Sequence, residues 1–186
     1  MKCCDSQKNN SCCSTVCECG EQNGSAQKKK IVIDFMYLDL SVCDRCKGTE
    51  ESLEEAISDV ARVLELTGAE VIVNKIHIDS EEKAIQYKFK SSPTIRINGK
   101  DIQLEVKESL CESCGDLCGD EVDCRVWVYN GKEYNVPPKA MIVDAILREV
   151  YGSSTSDIDE NKEEQKYQLP ENLKRFFQAM REKGEK

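Results

Sequence analysis

The sequence predicts an α/β domain in which helices flank a central mixed sheet. The run IVIDFMYLDL at 31–40 has the β-branched and aromatic character of a buried strand, and an amphipathic helix pattern follows it. Two Asn-Gly pairs, at 98–99 and 130–131, each lie between strand-like segments. They predict tight antiparallel hairpins, because such turns need residues that accept positive φ angles. Alternating strands and helices followed by hairpins predict parallel and antiparallel neighbours in one sheet.

The first helix is predicted from its apolar spacing. Apolar residues recur at helical intervals after the first strand, namely at Leu53, Ile57, Val60 and Leu64. Thr49, followed by two glutamates, is the expected N-cap, and Gly68 is the expected C-terminal cap. Residues 70–79 then predict a second strand, and residues 81–89 a second, shorter helix.

Two hairpins, separated by an insertion, are predicted for the second half of the domain. The hairpins cover 91–107 and 125–136, and the insertion at 108–124 is a cysteine-rich loop. Pro137 and Pro138 begin the closing helix, since proline is favoured in the first helical turn. The chain is thus expected to consist of a flexible cysteine-rich tail at 1–30, the domain at 31–151, a polar linker at 152–168 and a short amphipathic helix at 169–186.

Composition and charge exclude several classes of protein. The formal net charge of −9 argues against binding to nucleic acid or to an acidic membrane, because both need a basic face. The sequence has no apolar run of about 18 residues and no apolar signal segment, so it predicts a protein that stays in the cytoplasm. Thiols are kept reduced there, and the 12 cysteines are therefore expected to be metal ligands or redox groups.

The N-terminal tail, residues 1–30, has almost no apolar residues, so we expect it to be disordered unless a ligand organises it. Adjacent cysteines suit the capture of a thiophilic ion such as trivalent arsenic, mercury, copper(I) or zinc. The tail is accordingly a second candidate metal site, formed by Cys3, Cys4, Cys12, Cys13, Cys17 and Cys19. The alternative is a tail whose cysteines have no specific role.

The motif SVCDRCKG places Cys43 and Cys46 between the first strand and the first helix. The positive end of the helix and the cations of Arg45 and Lys47 favour the thiolate form, whereas Asp44 opposes it. A thiolate can attack a disulfide, and a second cysteine two residues on can resolve the mixed disulfide. The pair is interpreted as a catalytic dithiol, with half of a structural metal site as the alternative.

Four further cysteines lie close together in the insertion: Cys111, Cys114, Cys118 and Cys124. Such a cluster can surround one tetrahedral ion, and zinc with four thiolates is the simplest occupant. An iron–sulfur cluster is the second candidate, although the spacing matches neither ferredoxin pattern. The acidic residues around the cluster oppose a site of negative charge. A second redox relay and a loop of reduced thiols stay open as alternatives.

The order of elements, with CxRCxGT after the first strand and PPKAMIVDAILREVYG in the closing helix, resembles the thioredoxin-like superfamily over residues 31–151. More specifically, it resembles an uncharacterised prokaryotic branch with a CxxC motif that is known as a domain of unknown function. The resemblance implies that Pro93 is a cis-proline that packs beside the cysteine pair and shapes the substrate groove. The chain departs from the superfamily pattern in having no tryptophan before the first cysteine.

The cysteines support three functional hypotheses. The leading one is a cytoplasmic thiol–disulfide oxidoreductase in which Cys43 attacks, Cys46 resolves and Pro93 shapes the groove for a protein disulfide or thiol partner. The alternative is a binding or detoxification protein for a soft metal or metalloid ion. The third is an enzyme similar to organomercurial lyases, which combine paired thiolates with a nearby acid, here Asp44. Neither nucleic acid nor a membrane is an expected partner.

Overall fold

The computed structural model describes residues 29–119, 121–152 and 167–184. The predicted tail at 1–30, apart from its last two positions, and most of the predicted linker at 152–168 lie outside these residues. The elements of the described residues are β1 (Lys29–Tyr37), α1 (Asp44–Leu66), β2 (Ala69–His77), α2 (Glu81–Gln86), β3 (Thr94–Ile97), β4 (Lys100–Asp101), β5 (Lys107–Leu110), α3 (Glu112–Cys118), β6 (Asp123–Tyr129), β7 (Lys132–Tyr134), α4 (Lys139–Tyr151) and α5 (Glu171–Gly184). None of these helices combines the length and the apolar character needed to cross a membrane.

Four of the strands form a mixed sheet in the order β2-β1-β3-β4. β1 runs parallel to β2 and antiparallel to β3, so that Ile33 lies beside Val73 on one side and beside Ile97 on the other. The parallel pair is connected through α1, because parallel neighbours need a crossover. The predicted mixed α/β architecture is therefore confirmed.

The main core lies between one face of this sheet and the helices α1 and α4. Ile31, Ile33 and Phe35 of β1 are fully buried on this face, since alternate side chains of a strand point the same way. Leu53 and Leu64 of the predicted helical stripe belong to the same buried cluster. The apolar pattern of the sequence thus determines which face of α1 packs on the sheet.

Both predicted turns are present. Asn98 and Gly99 have φ angles of 48° and 81°, and Asn130 and Gly131 have φ angles of 51° and 73°. These positive values are the ones that a two-residue hairpin turn needs. The prediction of one sheet is wrong for the second hairpin, because β6 pairs with β5 and β7 in a separate antiparallel sheet in the order β5-β6-β7.

The first hairpin ends earlier than the predicted boundary at 107. β4 consists of Lys100–Asp101, and the Asp101 carboxylate forms an ion pair with Arg125 through two N–O contacts of 2.7 and 2.8 Å. The backbone N–H of Gln103 also donates to Asp101, at 3.0 Å. A side chain that binds its own backbone in this way favours a turn over a continued strand. The Asp101–Arg125 pair also joins the mixed sheet to β6.

Helix α1 begins before the predicted N-cap, Thr49. The N-cap is Cys43, whose sulfur accepts a hydrogen bond from the N–H of Cys46 at 3.4 Å. Thr49 lies inside the helix, where its hydroxyl donates to the carbonyl of Arg45 at 2.7 Å. The predicted cap is wrong because the sulfur of Cys43 accepts the bond that a capping oxygen usually accepts. The cysteine pair therefore lies at the positive end of the helix.

The cysteine-rich insertion contains a helix where the sequence predicts a loop. α3 begins after Cys111 and ends at Cys118, and Gly119 closes it with a left-handed φ of 82°. A helix of about two turns is too short to show a recognisable apolar period, which explains the error. Cys111 and Cys114 consequently lie about one helical turn apart.

A second buried cluster, which we call the cysteine core, lies beside α5. It consists of all six described cysteines together with Met36, Leu38, Ile78, Ala84, Phe89, Val122, Leu173, Phe176 and Phe177. Asn172 fixes the start of α5 against β6, since it accepts from the N–H of Asp123 at 3.0 Å and donates to its carbonyl at 2.7 Å. The predicted C-terminal amphipathic helix therefore packs on its own domain.

Candidate metal centre

Four cysteines from three parts of the chain meet in the cysteine core. Cys43 caps α1, Cys111 caps α3, Cys114 lies within α3 and Cys124 lies in β6. All four are buried, and their sulfur atoms all lie within 4.8 Å of one another. Such a group can hold a metal ion such as zinc, which is commonly bound by four cysteine thiolates.

The sulfur–sulfur distances fit a single ion. A tetrahedral ion with metal–sulfur bonds of about 2.3 Å keeps its four sulfurs about 3.8 Å apart. The sulfurs of Cys114 and Cys124 are 3.4 Å apart, and a small outward adjustment brings them to this spacing. An iron–sulfur cluster needs a wider cage, because several irons and sulfides lie between its cysteines. The geometry therefore favours one ion over the predicted alternative of an iron–sulfur cluster.

Cys118, a predicted ligand, is not one of the four. It is the last residue of α3, and its sulfur is not among the four that lie within 4.8 Å of one another. Cys118 is buried, and its sulfur lies 4.0 Å from the carbonyl oxygen of Gly115. The group of four thus contains Cys43 in the place that the sequence analysis gave to Cys118.

The second cysteine of the CxxC motif lies against a different part of the chain. The Ser92–Pro93 peptide bond is cis, as the resemblance implies. The sulfur of Cys46 is in hydrogen-bond contact with the hydroxyl of Ser92 at 3.4 Å. That hydroxyl accepts from the N–H of Leu38 at 3.1 Å. Cys43 therefore lies among the thiols of the insertion, whereas Cys46 lies beside the residue that precedes Pro93.

The four thiols differ in how readily they ionise. Hydrogen bonds from Cys111, Cys114 and Cys124, in that order of size, hold the pKa of Cys43 far below its usual range. A hydrogen bond with Cys114 is the main cause that lowers the pKa of Cys111 to about 7. The pKa values of Cys114 and Cys124 are raised, chiefly by their hydrogen bonds with Cys111. The hydrogen bonds among the four thiols thus favour ionisation at Cys43 and oppose it at Cys114 and Cys124.

Cys111 is the member of the group of four that lies nearest to solvent. It is 2% exposed, whereas the other three have no exposed surface. A cleft of about 380 Å³ reaches it, and the cleft is also lined by Asp44 and Glu112. Asp44, the acid of the third functional hypothesis, is thus exposed at the edge of the site, and its N–H lies 3.5 Å from the hydroxyl of Ser113.

The comparison with protein families rests on residues 31–146. A family model described as Domain of unknown function (DUF2703) matches this range. The chain belongs to the DUF2703 family. The matched range contains all of the mixed sheet except the first two residues of β1, and it contains the CxxC motif and every cysteine of the group of four. Helix α5 lies beyond it. No curated protein and no solved structure matches the chain.

Spacing in the sequence does not reveal Cys43 as a member of the group. The insertion must first fold back against the start of α1, and that contact depends on the tertiary structure. No local signal separates Cys118 from the other three cysteines of the insertion, because a helix as short as α3 is not recognisable in the sequence. The six cysteines predicted as a second metal site in the tail lie outside the described residues.

Proposed function

We propose that this chain binds a single soft metal ion through Cys43, Cys111, Cys114 and Cys124. The observation that carries the proposal is the buried group of four sulfurs within 4.8 Å of one another. A divalent ion offsets about half of the charge that four buried thiolates would otherwise bring into the core. Zinc is the expected ion, and copper(I), mercury and trivalent arsenic share its preference for thiolate ligands.

The proposal includes a thioredoxin-like scaffold, which the order of elements supports. β1 leads into the CxxC motif at the start of α1, and β2 returns parallel to β1. The cis-proline Pro93 immediately precedes the antiparallel β3, and α4 closes the domain. On this interpretation, β5, α3 and the first residues of β6 form an insertion that brings three ligands to the start of α1.

The protein purified under reducing conditions is expected to hold about one metal equivalent at this site. The measurement uses the full chain with serine at the six tail cysteines, because those would bind soft ions as well. Occupancy should fall as the pH is lowered. Binding displaces the protons of Cys114 and Cys124, and their raised pKa values make protons strong competitors for the sulfurs.

Native mass spectrometry over a pH series measures both the stoichiometry and its pH dependence. Protein purified anaerobically with zinc in the buffer that carries no metal at neutral pH would contradict the proposal. Occupancy that rises on acidification would contradict thiolate ligation.

Thiol–disulfide exchange is a second candidate, supported by the contrast between the two cysteines of the motif. The pKa of Cys43 lies far below its usual range, whereas the hydrogen bond with Cys43 and burial raise the pKa of Cys46. An ionised first cysteine beside a neutral second one is the arrangement that attack and resolution require. Because Cys43 belongs both to the motif and to the metal group, a Cys43–Cys46 disulfide and the four-thiolate site exclude each other.

Oxidation of the metal-loaded protein by a small peroxide is therefore expected to release the ion. The thiolate of Cys43 and the thiol of Cys46 lose two electrons and one proton to form the disulfide. With a second proton from solvent, hydrogen peroxide is reduced to two waters, or an alkyl peroxide to an alcohol and water. Peptide mapping locates the disulfide, and a chromogenic chelator measures the released metal. Cys46→Ser is the control, since it keeps all four ligands and cannot form this disulfide. Equal release from both proteins would contradict a role for Cys46.

Further predictions extend the proposal. The cytoplasm remains the expected location, and a thiol or disulfide of another protein remains the expected partner of the second candidate. If the protein detoxifies metal or metalloid ions, the six tail cysteines would bind these ions first and transfer them to the group of four. A lyase acting on a metal–carbon bond would need a proton from Asp44, which lines the cleft that reaches Cys111.

A further inference from the structure

Arg45 lies between the two cysteines of the CxxC motif, and its side chain reaches across to the insertion. One terminal nitrogen of the guanidinium donates to the carbonyl of Cys124 at 3.0 Å and to that of Ser109 at 3.2 Å. The other donates to the carbonyl of Leu110 at 2.8 Å and to the hydroxyl of Ser109 at 3.0 Å. A planar guanidinium can bind several fixed acceptors at once, which an ammonium group does less well.

These acceptors lie next to the metal ligands. Leu110 directly precedes Cys111, and Cys124 is itself one of the four, so the guanidinium holds the end of β5 and the start of β6 together. Arg45 itself lies in the first turn of α1, two residues after Cys43. Cys114 follows Cys111 by one turn of α3. Arg45 is thus connected to Cys43 through the first turn of α1. Its hydrogen-bond partners in β5 and β6 lie next to Cys111 and include Cys124, and α3 connects Cys111 to Cys114.

We propose that Arg45 is a positioning residue that assembles the metal site by joining the CxxC segment to the insertion. The proposal rests on the metal-binding function proposed above. Arg45 and Cys124 are 79 positions apart in the sequence, so a direct bond between them fixes a distance that local structure does not. A second contact between the CxxC segment and α3 joins the N–H of Asp44 to the hydroxyl of Ser113. It is longer, at 3.5 Å, and therefore weaker.

Charge supports the same role. Four thiolates around a divalent ion carry a net charge of about −2. The guanidinium is always protonated, and it is half-buried beside this group. Arg45 therefore stabilises the loaded site through its positive charge as well as through its hydrogen bonds.

The test compares Arg45→Met and Arg45→Lys with Arg148→Met, all in the full chain with serine at the six tail cysteines. Methionine keeps much of the length of the side chain and removes its hydrogen bonds. Lysine keeps the positive charge but lacks the planar arrangement of several donors. Arg148 is a matched control, since its side chain is 77% exposed and pairs with Asp144 within α4. Cobalt(II) is the probe, because its absorption reports the geometry and the thiolate ligands of the site.

We expect Arg45→Met to bind cobalt and zinc about 10–100-fold more weakly than the control, the usual cost of losing a group that orients metal ligands. The affinity of Arg45→Lys for each metal should lie between the affinities of Arg45→Met and of the control. The cobalt absorption bands of Arg45→Met should also shift, which a loss of stability alone would not cause. Circular dichroism of the metal-free variants checks their fold.

If Arg45→Met does not fold, the affinity of Arg45→Lys relative to the control decides the question. Affinities and spectra equal to those of Arg148→Met would overturn the positioning role. A parent protein that binds no cobalt would instead overturn the proposed metal-binding function, so the two failures are distinguishable.

Discussion

Replacing Cys43 with serine is expected to weaken metal binding about a hundredfold. A structural zinc site contributes about 10–16 kcal/mol, so one of four thiolates accounts for about 3 kcal/mol, or about two powers of ten in affinity. A serine hydroxyl keeps its proton at neutral pH and cannot replace the thiolate. Competition with a chelator, in the chain with serine at the six tail cysteines, measures the affinity, and native mass spectrometry measures the remaining metal.

Cys118→Ser and Cys46→Ser are matched controls for this prediction. Both remove a buried cysteine of the cysteine core that is not a member of the group of four. Both variants are expected to keep the ion with nearly unchanged affinity. A different result would contradict the group of four: Cys118→Ser would lose the ion, and Cys43→Ser would keep it. Cys118 would then be the fourth ligand, as the sequence predicts.

Replacing Asp101 with alanine is expected to destabilise the protein by about 3–5 kcal/mol, the usual cost of leaving a buried charge without its partner. Arg125 is completely buried, and the Asp101 carboxylate binds its guanidinium through two contacts of 2.7 and 2.8 Å. The ring of Trp127, 5.1 Å from the guanidinium carbon, offers partial compensation. Urea denaturation of the metal-free protein measures the loss in the free energy of unfolding.

Two further variants control for this prediction. Asp101→Leu combined with Arg125→Met removes both charges and should recover much of the stability, because apolar residues can replace a buried ion pair. Asp144→Ala breaks an exposed pair with Arg148 and should cost less than about 1 kcal/mol. A cost for Asp101→Ala no larger than that of Asp144→Ala would show that Arg125 does not depend on its partner.

The parts of the fold that depend on neighbouring residues could be predicted from the sequence. The β-branched and aromatic run at 31–40 identifies a strand, because the preference of these residues for extended backbone is a local property. The two Asn-Gly turns are likewise set by the φ angles that these residues accept. The apolar stripe of α1 is correct for the same reason, whereas its start is not, because a sulfur cap is rare enough to be overlooked.

The membership of the metal group could not be predicted in the same way. The sequence shows four cysteines within the insertion and two in the CxxC motif. Their spacing favours one site in the insertion and a separate pair in the motif, and nothing in it groups Cys43 with the insertion. The structure divides them by position in space, since α3 carries Cys118 away from Cys114 while the fold of the insertion brings Cys43 close. Arg45, interpreted from the sequence as a cation that favours the thiolate, contacts backbone carbonyls of the insertion instead.

An ion bound by the group of four would also act as a cross-link between distant parts of the chain. The first and last cysteines of the group, Cys43 and Cys124, are separated by 81 positions in the sequence. By analogy with a disulfide, closing a loop of that length removes unfolded-state entropy equivalent to about 4–5 kcal/mol. The ion would therefore restrict the part of the unfolded chain that contains β2, β3 and β4 of the mixed sheet. Elements that never touch the metal, such as β2 and α2 within that loop, would unfold more readily once it is lost.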